Sequence, residues 1–229
     1  FKSLKALMYH KIGNVIINST DNIIISVMLG VFWVGIYSNY SMIVTIVTSF
    51  VLIIFSACSA SIGNLNASED KQKVLDVFKV MTFLGIWVYG ITSICFLVLF
   101  QPFITIWIGD EYLVSEIALS SIVIAYFVKG IVNVSGTFMD VTKLFIRTRY
   151  IPWIMAIINV VTSIIGAKYI GLAGVFIGTV LSYALTQLWV NPYMLYKYKF
   201  KEPFGKYILF FIRCIIPILF AGAVTYIVC

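Results

Sequence analysis

The sequence predicts an all-helical integral membrane protein, a bundle of about seven transmembrane helices, and two observations carry that reading. Hydrophobic residues make up 62% of the chain and charged residues only 11%, against about 25% charged in a soluble globular domain. A soluble protein must cover its surface with polar groups, whereas a surface facing lipid needs none. The apolar residues also fall in runs of about twenty, long enough to cross ~30 Å of hydrocarbon as helix. A membrane barrel would instead need short segments of alternating polarity, which the sequence lacks.

The runs follow in order. The first covers about 12–33 and the second about 34–62. The polar stretch from Asn64 to Lys73 precedes a third at 77–100. Within it Ser68, followed by Glu69 and Asp70, reads as a helix N-cap with an acidic first turn, opening a short interfacial helix. The fourth run lies at 115–136, the fifth at 150–169, the sixth at 171–193 and the seventh at 206–228. Pro102, Pro152, Pro192 and Pro203 fall at run ends, where a missing N–H costs little. Pro217 lies inside the last run and predicts a kink. Trp33, Tyr37, Tyr40, Trp107, Tyr112, Tyr150, Trp153, Trp189 and Tyr193 sit near run ends, as an interfacial aromatic belt does. Trp87 and Tyr89 lie deeper and read as packing residues. Gly171, Gly174, Gly178 and Ser182 share one face of the sixth run, a spacing that lets helices approach closely.

Charge sets the expected orientation. Alternate loops hold Lys2, Lys5 and Lys11; Lys71, Lys73 and Lys79; Lys143, Arg147 and Arg149; and Lys197, Lys199, Lys201 and Lys206. These are thirteen of the sixteen basic residues. The opposite loops hold Lys168 beside acidic Asp110 and Glu111. Positive loops stay on the cytoplasmic side, so the N-terminus is expected inside and Cys229 outside. The net charge of +7 is spread over four loops with no motif to organise a nucleic-acid site. Contact with an anionic inner leaflet accounts for it. Cys58, Cys95, Cys214 and Cys229 lie in apolar runs without CxxC or metal spacing and read as small buried hydrophobes.

The informative residues are polar groups at membrane depth, each costing at least ~2.5–3.5 kcal/mol to bury. Asp21 lies ten residues past Lys11, about 15 Å along a helix and so near the midplane. Asn14, Asn18 and Asp21 share a face at i, i+4 and i+7, flanked by Thr20 and Asn22. Lys129 lies inside the fourth run with Tyr126 and Asn133 on its face. Asn159, Thr162 and Ser163 form a milder patch on the fifth, and Arg213 reads as a snorkelling residue near the inner face. Two roles stay open. The groups pair across helices and hold the bundle together, or they line a water-filled path for substrate or coupling ion. Asp21 and Lys129 forming a switchable pair satisfies both. The path candidates are therefore Asn14, Asn18, Asp21, Asn22, Lys129, Asn133 and Asn159. The single histidine, His10, sits at the inner interface and no paired acids lie on a loop, so no catalysis, metal or cofactor is expected.

The order of segments resembles a known family. Lys11-Ile-Gly-Asn, Asn18-Ser-Thr-Asp-Asn and Gly35-Ile-Tyr-Ser-Asn-Tyr come first. Ser61-Ile-Gly-Asn, Pro102-Phe-Ile-Thr-Ile-Trp-Ile-Gly, Gly171-Leu-Ala-Gly-Val-Phe-Ile-Gly-Thr and Trp189-Val-Asn-Pro follow, then a lysine-rich tail. Together they resemble the Wzx-like polysaccharide flippases of the multidrug, oligosaccharidyl-lipid and polysaccharide exporter superfamily. That resemblance implies two helical lobes with 12 or 14 spans, of which this chain is similar to the C-terminal lobe, residues 1–229 forming a single transmembrane unit. Opening on Phe1 rather than Met, and having an odd number of runs, the chain reads as a fragment lacking the N-terminal lobe. The resemblance implies movement of undecaprenyl-diphosphate-linked oligosaccharide across a bacterial cytoplasmic membrane by alternating access. A coupling ion, Na+ or H+, is left open, and a polysaccharide polymerase and assembly proteins are the implied partners beside the lipid-linked oligosaccharide and the bilayer. Lipid II or teichoic-acid precursor flippases and multidrug exporters of the same superfamily are alternatives. A seven-helix receptor or a membrane-embedded enzyme fits the residues less well.

Overall fold

The computed structural model describes Met8, residues 19–67 and residues 70–228. Among these residues the chain is almost wholly helical and has no strand. Six helices there are long and apolar enough to cross a membrane, so the chain is an all-α, multi-pass membrane protein. Asn14, Asn18, His10, Ser68 and Cys229 lie outside the described residues.

Helix α1 covers residues 19–28, the described part of the first expected run. It closes where Leu29 and Gly30 both donate their N–H to Ile25 O. Gly30 has a φ of 100°, a conformation open to glycine and strained for other residues. Helix α2 (Val31–Ala67) restarts beyond it. The turn therefore precedes the boundary expected after residue 33; apolar residues run straight through it, and only the glycine marks it.

Helix α3 (Lys71–Trp107) is capped by Asp70, whose side chain accepts the Lys73 N–H at 3.1 Å. Asp70, adjacent to the first helical residue, takes the capping role expected of Ser68. The bond from the Lys73 N–H holds the Asp70 carboxyl below the usual range. Among the described residues no separate interfacial helix precedes the span: α3 is continuous over 37 residues, about 55 Å and so longer than the hydrocarbon is thick. Pro102 lies within it rather than at its end, on the exposed side.

Helix α4 (Glu116–Val141) starts at Ser115, whose hydroxyl accepts the Ala118 N–H at 3.3 Å. Helix α5 (Ile151–Ile170) has Pro152 in its first turn, and α6 (Leu172–Leu185) follows after Gly171. The sixth expected run is not one helix. It breaks at Thr186, resumes as α7 (Gln187–Met194) with Pro192 inside it, and widens into a π-helical turn over Leu195–Phe200. Helix α8 (Phe204–Val228) follows Pro203 and contains Pro217.

Helices α5 and α6 form the closest pair. A Cβ on Gly166 or Gly174 would overlap the other's backbone, and one on Gly178 would overlap Ser163. The expected small-residue face is thus a packing face, and its partner is Gly166. Ser163 Oγ donates to Val175 O at 2.9 Å and Thr162 Oγ1 to Gly178 O at 3.2 Å, so the milder polar patch of α5 stitches the hairpin.

The two ends of the bundle differ in kind. At one end the Phe78 ring packs on Phe138, Tyr196, Phe200 and Tyr207, with centroids 5.0 to 6.2 Å away. The cluster joins α3, α4, the π-helical turn and α8, and the described basic loops surround it. At the other end Tyr40, expected in the aromatic belt, is fully buried. Its hydroxyl donates to Gln101 Oε1 at 3.1 Å and accepts the Val114 N–H at 3.2 Å, tying α2 to both flanks of the α3–α4 turn. Outward faces stay apolar, with Ile157 of α5 65% and Phe220 of α8 70% exposed. Such faces require lipid or another apolar surface.

Candidate functional site

Lys129 lies near the middle of α4, about 18 Å from either end. Its Nζ is 3.5 Å from Asp21 Oδ2. The other Asp21 oxygen accepts the Thr179 hydroxyl of α6 at 2.7 Å, and Thr179 Oγ1 accepts the Asn159 amide of α5 at 3.0 Å. Four helices thus meet through polar groups at mid-depth. Asp21 is 2% exposed; a lone carboxylate there would carry the full cost of lost hydration, which a cation and a hydroxyl offset. Closeness of α5 and α6 is what places Asn159 against Thr179, and it depends on the Gly166–Gly174 contact.

The Lys129 side chain, 32% exposed, reaches from this buried carboxylate to the wall of a cleft. Its ammonium also sits 5.9 Å from the centroid of the Tyr183 ring, within cation–π range. The cleft has a volume of about 420 Å³, within the ~300–1,000 Å³ common to small-molecule sites. Thr48 of α2, Tyr89 of α3, Tyr183 of α6 and Gln187 and Asn191 of α7 line it. From α4 come Tyr126, Lys129, Asn133 and, toward the basic end, Asp140. A neighbouring cleft of about 380 Å³ shares Tyr89, Asn133, Thr137 and Asp140 with it. Tyr126 is held by a hydroxyl contact of 2.9 Å to Thr92, and the Asn191 amide donates to Ser135 Oγ at 3.4 Å.

The structure brings Asp21 and Lys129 together and places Asn133 on the cleft wall. Asn159 is fully buried and belongs to the network behind that wall rather than to the wall itself. Asn22 is exposed on α1 and lines neither cleft. Arg213 is exposed on α8 and makes no ion pair among the described residues. Among those residues no group of His, Cys, Asp and Glu could hold a metal, and Cys58, Cys95 and Cys214 are free thiols. Thr179, Tyr183, Gln187 and Asn191 are further members of the network and the cleft wall, outside the residues expected from sequence. Their signal was available: the last three recur at i, i+4 and i+8, one stripe on one helix face.

No family model, curated protein or solved structure matches this chain.

Proposed function

We propose that this chain is one lobe of a flippase that carries undecaprenyl-diphosphate-linked oligosaccharide from the inner to the outer leaflet of a bacterial cytoplasmic membrane. The observation that carries the reading is the charge-compensated Asp21–Lys129 pair at mid-depth, opening through Lys129 onto a polar cleft. A headgroup of sugars and phosphates crossing hydrocarbon unaided meets a barrier set by lost hydration. A cleft walled by amides, hydroxyls and a paired charge replaces water contacts with protein dipoles and lowers that barrier. Bundle packing alone needs no such cleft beside the pair. The order of sequence motifs supports the same class, and the clustering of basic loops at one end supports a cytoplasmic placement of that end. Alternating access requires contacts that form in one state and break in another, and an ion pair between α1 and α4 is such a contact.

The test is genetic and biochemical. Loss of the gene encoding this chain should abolish surface polysaccharide and accumulate lipid-linked oligosaccharide in the inner leaflet, and Asp21→Asn should fail to restore export at normal protein levels. Unchanged export in either strain refutes the reading.

A further inference from the structure

The break at Thr186 is the least expected feature of the bundle, because it leaves backbone groups open at membrane depth. Thr186 (φ −126°, ψ −96°) leaves the helix, its N–H donating to Tyr183 O and its hydroxyl to Ser182 O. The N–H groups of Trp189 and Val190 both go to Thr186 O. Those of Gln187 and Leu188 have no backbone acceptor among the described residues. Tyr183, one turn before the break, is level with Lys129, so these groups lie deep in the apolar layer. Non-helical backbone at that depth is tolerated where it is buried in protein or lines a water-filled cavity. Here the break borders the cleft.

A second observation is independent of the backbone. The Gln187 side chain is 7% exposed, lines the cleft and makes no hydrogen bond among the described residues. Its amide, with two donors and an acceptor, is therefore left open at the cleft wall to whatever polar group the cleft admits. Asn191 presents a second amide to the cleft one turn further on.

From these observations we infer that the α6–α7 break is a binding subsite for the uncharged sugar portion of the substrate, with Gln187 and Asn191 as its recognition groups. The inference builds on the flippase reading and assigns this part of the cleft to glycan rather than diphosphate. Charge decides between the two. Lys129 is neutralised by Asp21 at 3.5 Å. Asp140 lines the same cleft without an ion-pair partner among the described residues. An incoming diphosphate therefore meets no net positive charge. Amides that both donate and accept match sugar hydroxyl and acetamido groups, and the Tyr183 ring offers an apolar face to sugar C–H bonds.

Hydrogen exchange on the protein in lipid nanodiscs tests this without a variant. The amides of Gln187 and Leu188 should exchange at least about tenfold faster than those of Val128 and Lys129 at similar depth in α4. Maltose or N,N′-diacetylchitobiose should slow that exchange by at least about threefold, and sodium pyrophosphate at equal ionic strength should not. Gln187→Leu and Asn191→Leu should remove the sugar effect while the break still exchanges. Exchange as slow as in α4, protection by pyrophosphate alone, or no protection by either sugar would overturn the inference. Export separates the two readings. If Asp21→Asn blocks export while the Gln187→Leu/Asn191→Leu double variant exports normally and sugars give no protection, the subsite falls and the flippase stands. Sugar protection in a protein whose loss leaves surface polysaccharide intact supports the subsite and refutes the flippase.

Discussion

Replacing Lys129 by Met removes the ammonium and leaves the Asp21 carboxylate, 2% exposed, with Thr179 as its remaining hydrogen-bond donor among the described residues. At the observed 3.5 Å and an effective dielectric of ~20, the lost attraction is about 5 kcal/mol before any hydration is returned. Removing one partner of a fully buried pair costs about 3–5 kcal/mol net. Because Lys129 is 32% exposed, water screens part of the field, and the expected loss is about 2–3 kcal/mol. Asp21→Asn in the same background removes the stranded charge, keeps an acceptor for Thr179, and should recover more than half of the loss. The assay is reversible unfolding of the four forms in bicelles, read as a double-mutant cycle, with an expected coupling of at least about 1.5 kcal/mol. A coupling under about 0.5 kcal/mol, as in exposed pairs, would refute the argument that this pair holds α1 to α4.

The other predictions are narrower. Gly174→Ala forces a Cβ onto the Gly166 backbone and should destabilise the protein by about 1–3 kcal/mol; Gly205→Ala, which meets open space, should not, and thermal unfolding in detergent compares them. Gly171 has φ 65° and ψ −137°, a region nearly confined to glycine, so Gly171→Ala should cost about 1–3 kcal/mol by the same assay. Tyr40→Phe strands the Val114 N–H and Gln101 Oε1, leaving the Gln101 amide on Val114 O, and should cost about 1–3 kcal/mol, with faster hydrogen exchange near Val114. Asp70 has a carboxyl held low by the Lys73 N–H, so its capping contribution is present above the unfolded carboxyl value. It is lost as pH falls through the lower folded one. Amide exchange over 71–74, corrected for intrinsic rate, should rise in acid below about pH 4 in the parent protein and lose that dependence in Asp70→Asn.

Most of the spans were legible because lipid imposes a composition that no soluble surface tolerates, and that signal needs no tertiary information. The face of α4 was legible as well: Tyr126, Lys129 and Asn133 all line the cleft. Asp21 meeting Lys129 was foreseeable in kind, since two opposite charges at one depth have few other partners. Their common neighbour Thr179 was not, because its position depends on glycine contacts between two other helices. The break at Thr186 was hidden by its neighbours. Trp189 and Pro192 resemble the end of a span, whereas Tyr183, one turn before the break, sits beside Lys129 at the middle of α4. Tyr40 was misplaced for a related reason: an aromatic near a helix end fits an interfacial belt and a buried strut equally well, and only packing separates them.

The ring cluster around Phe78 sets how this bundle can deform. It rivets α3, α4, the π-helical turn and α8 together at the basic end, so α7 and α4 cannot part there without unstacking aromatic side chains. Widening of the cleft has the geometry of a pair of tongs, with displacement growing with distance from the rivet. Lys129 lies about 13 Å along α4 from Phe138, so a tilt of about ten degrees separates the jaws by about 2 Å at that level. A continuous α6–α7 rod would transmit the tilt to Thr179. The discontinuity at Thr186 lets α7 swing while α6 stays locked to α5, so the cleft can change width without pulling the Thr179 hydroxyl from Asp21.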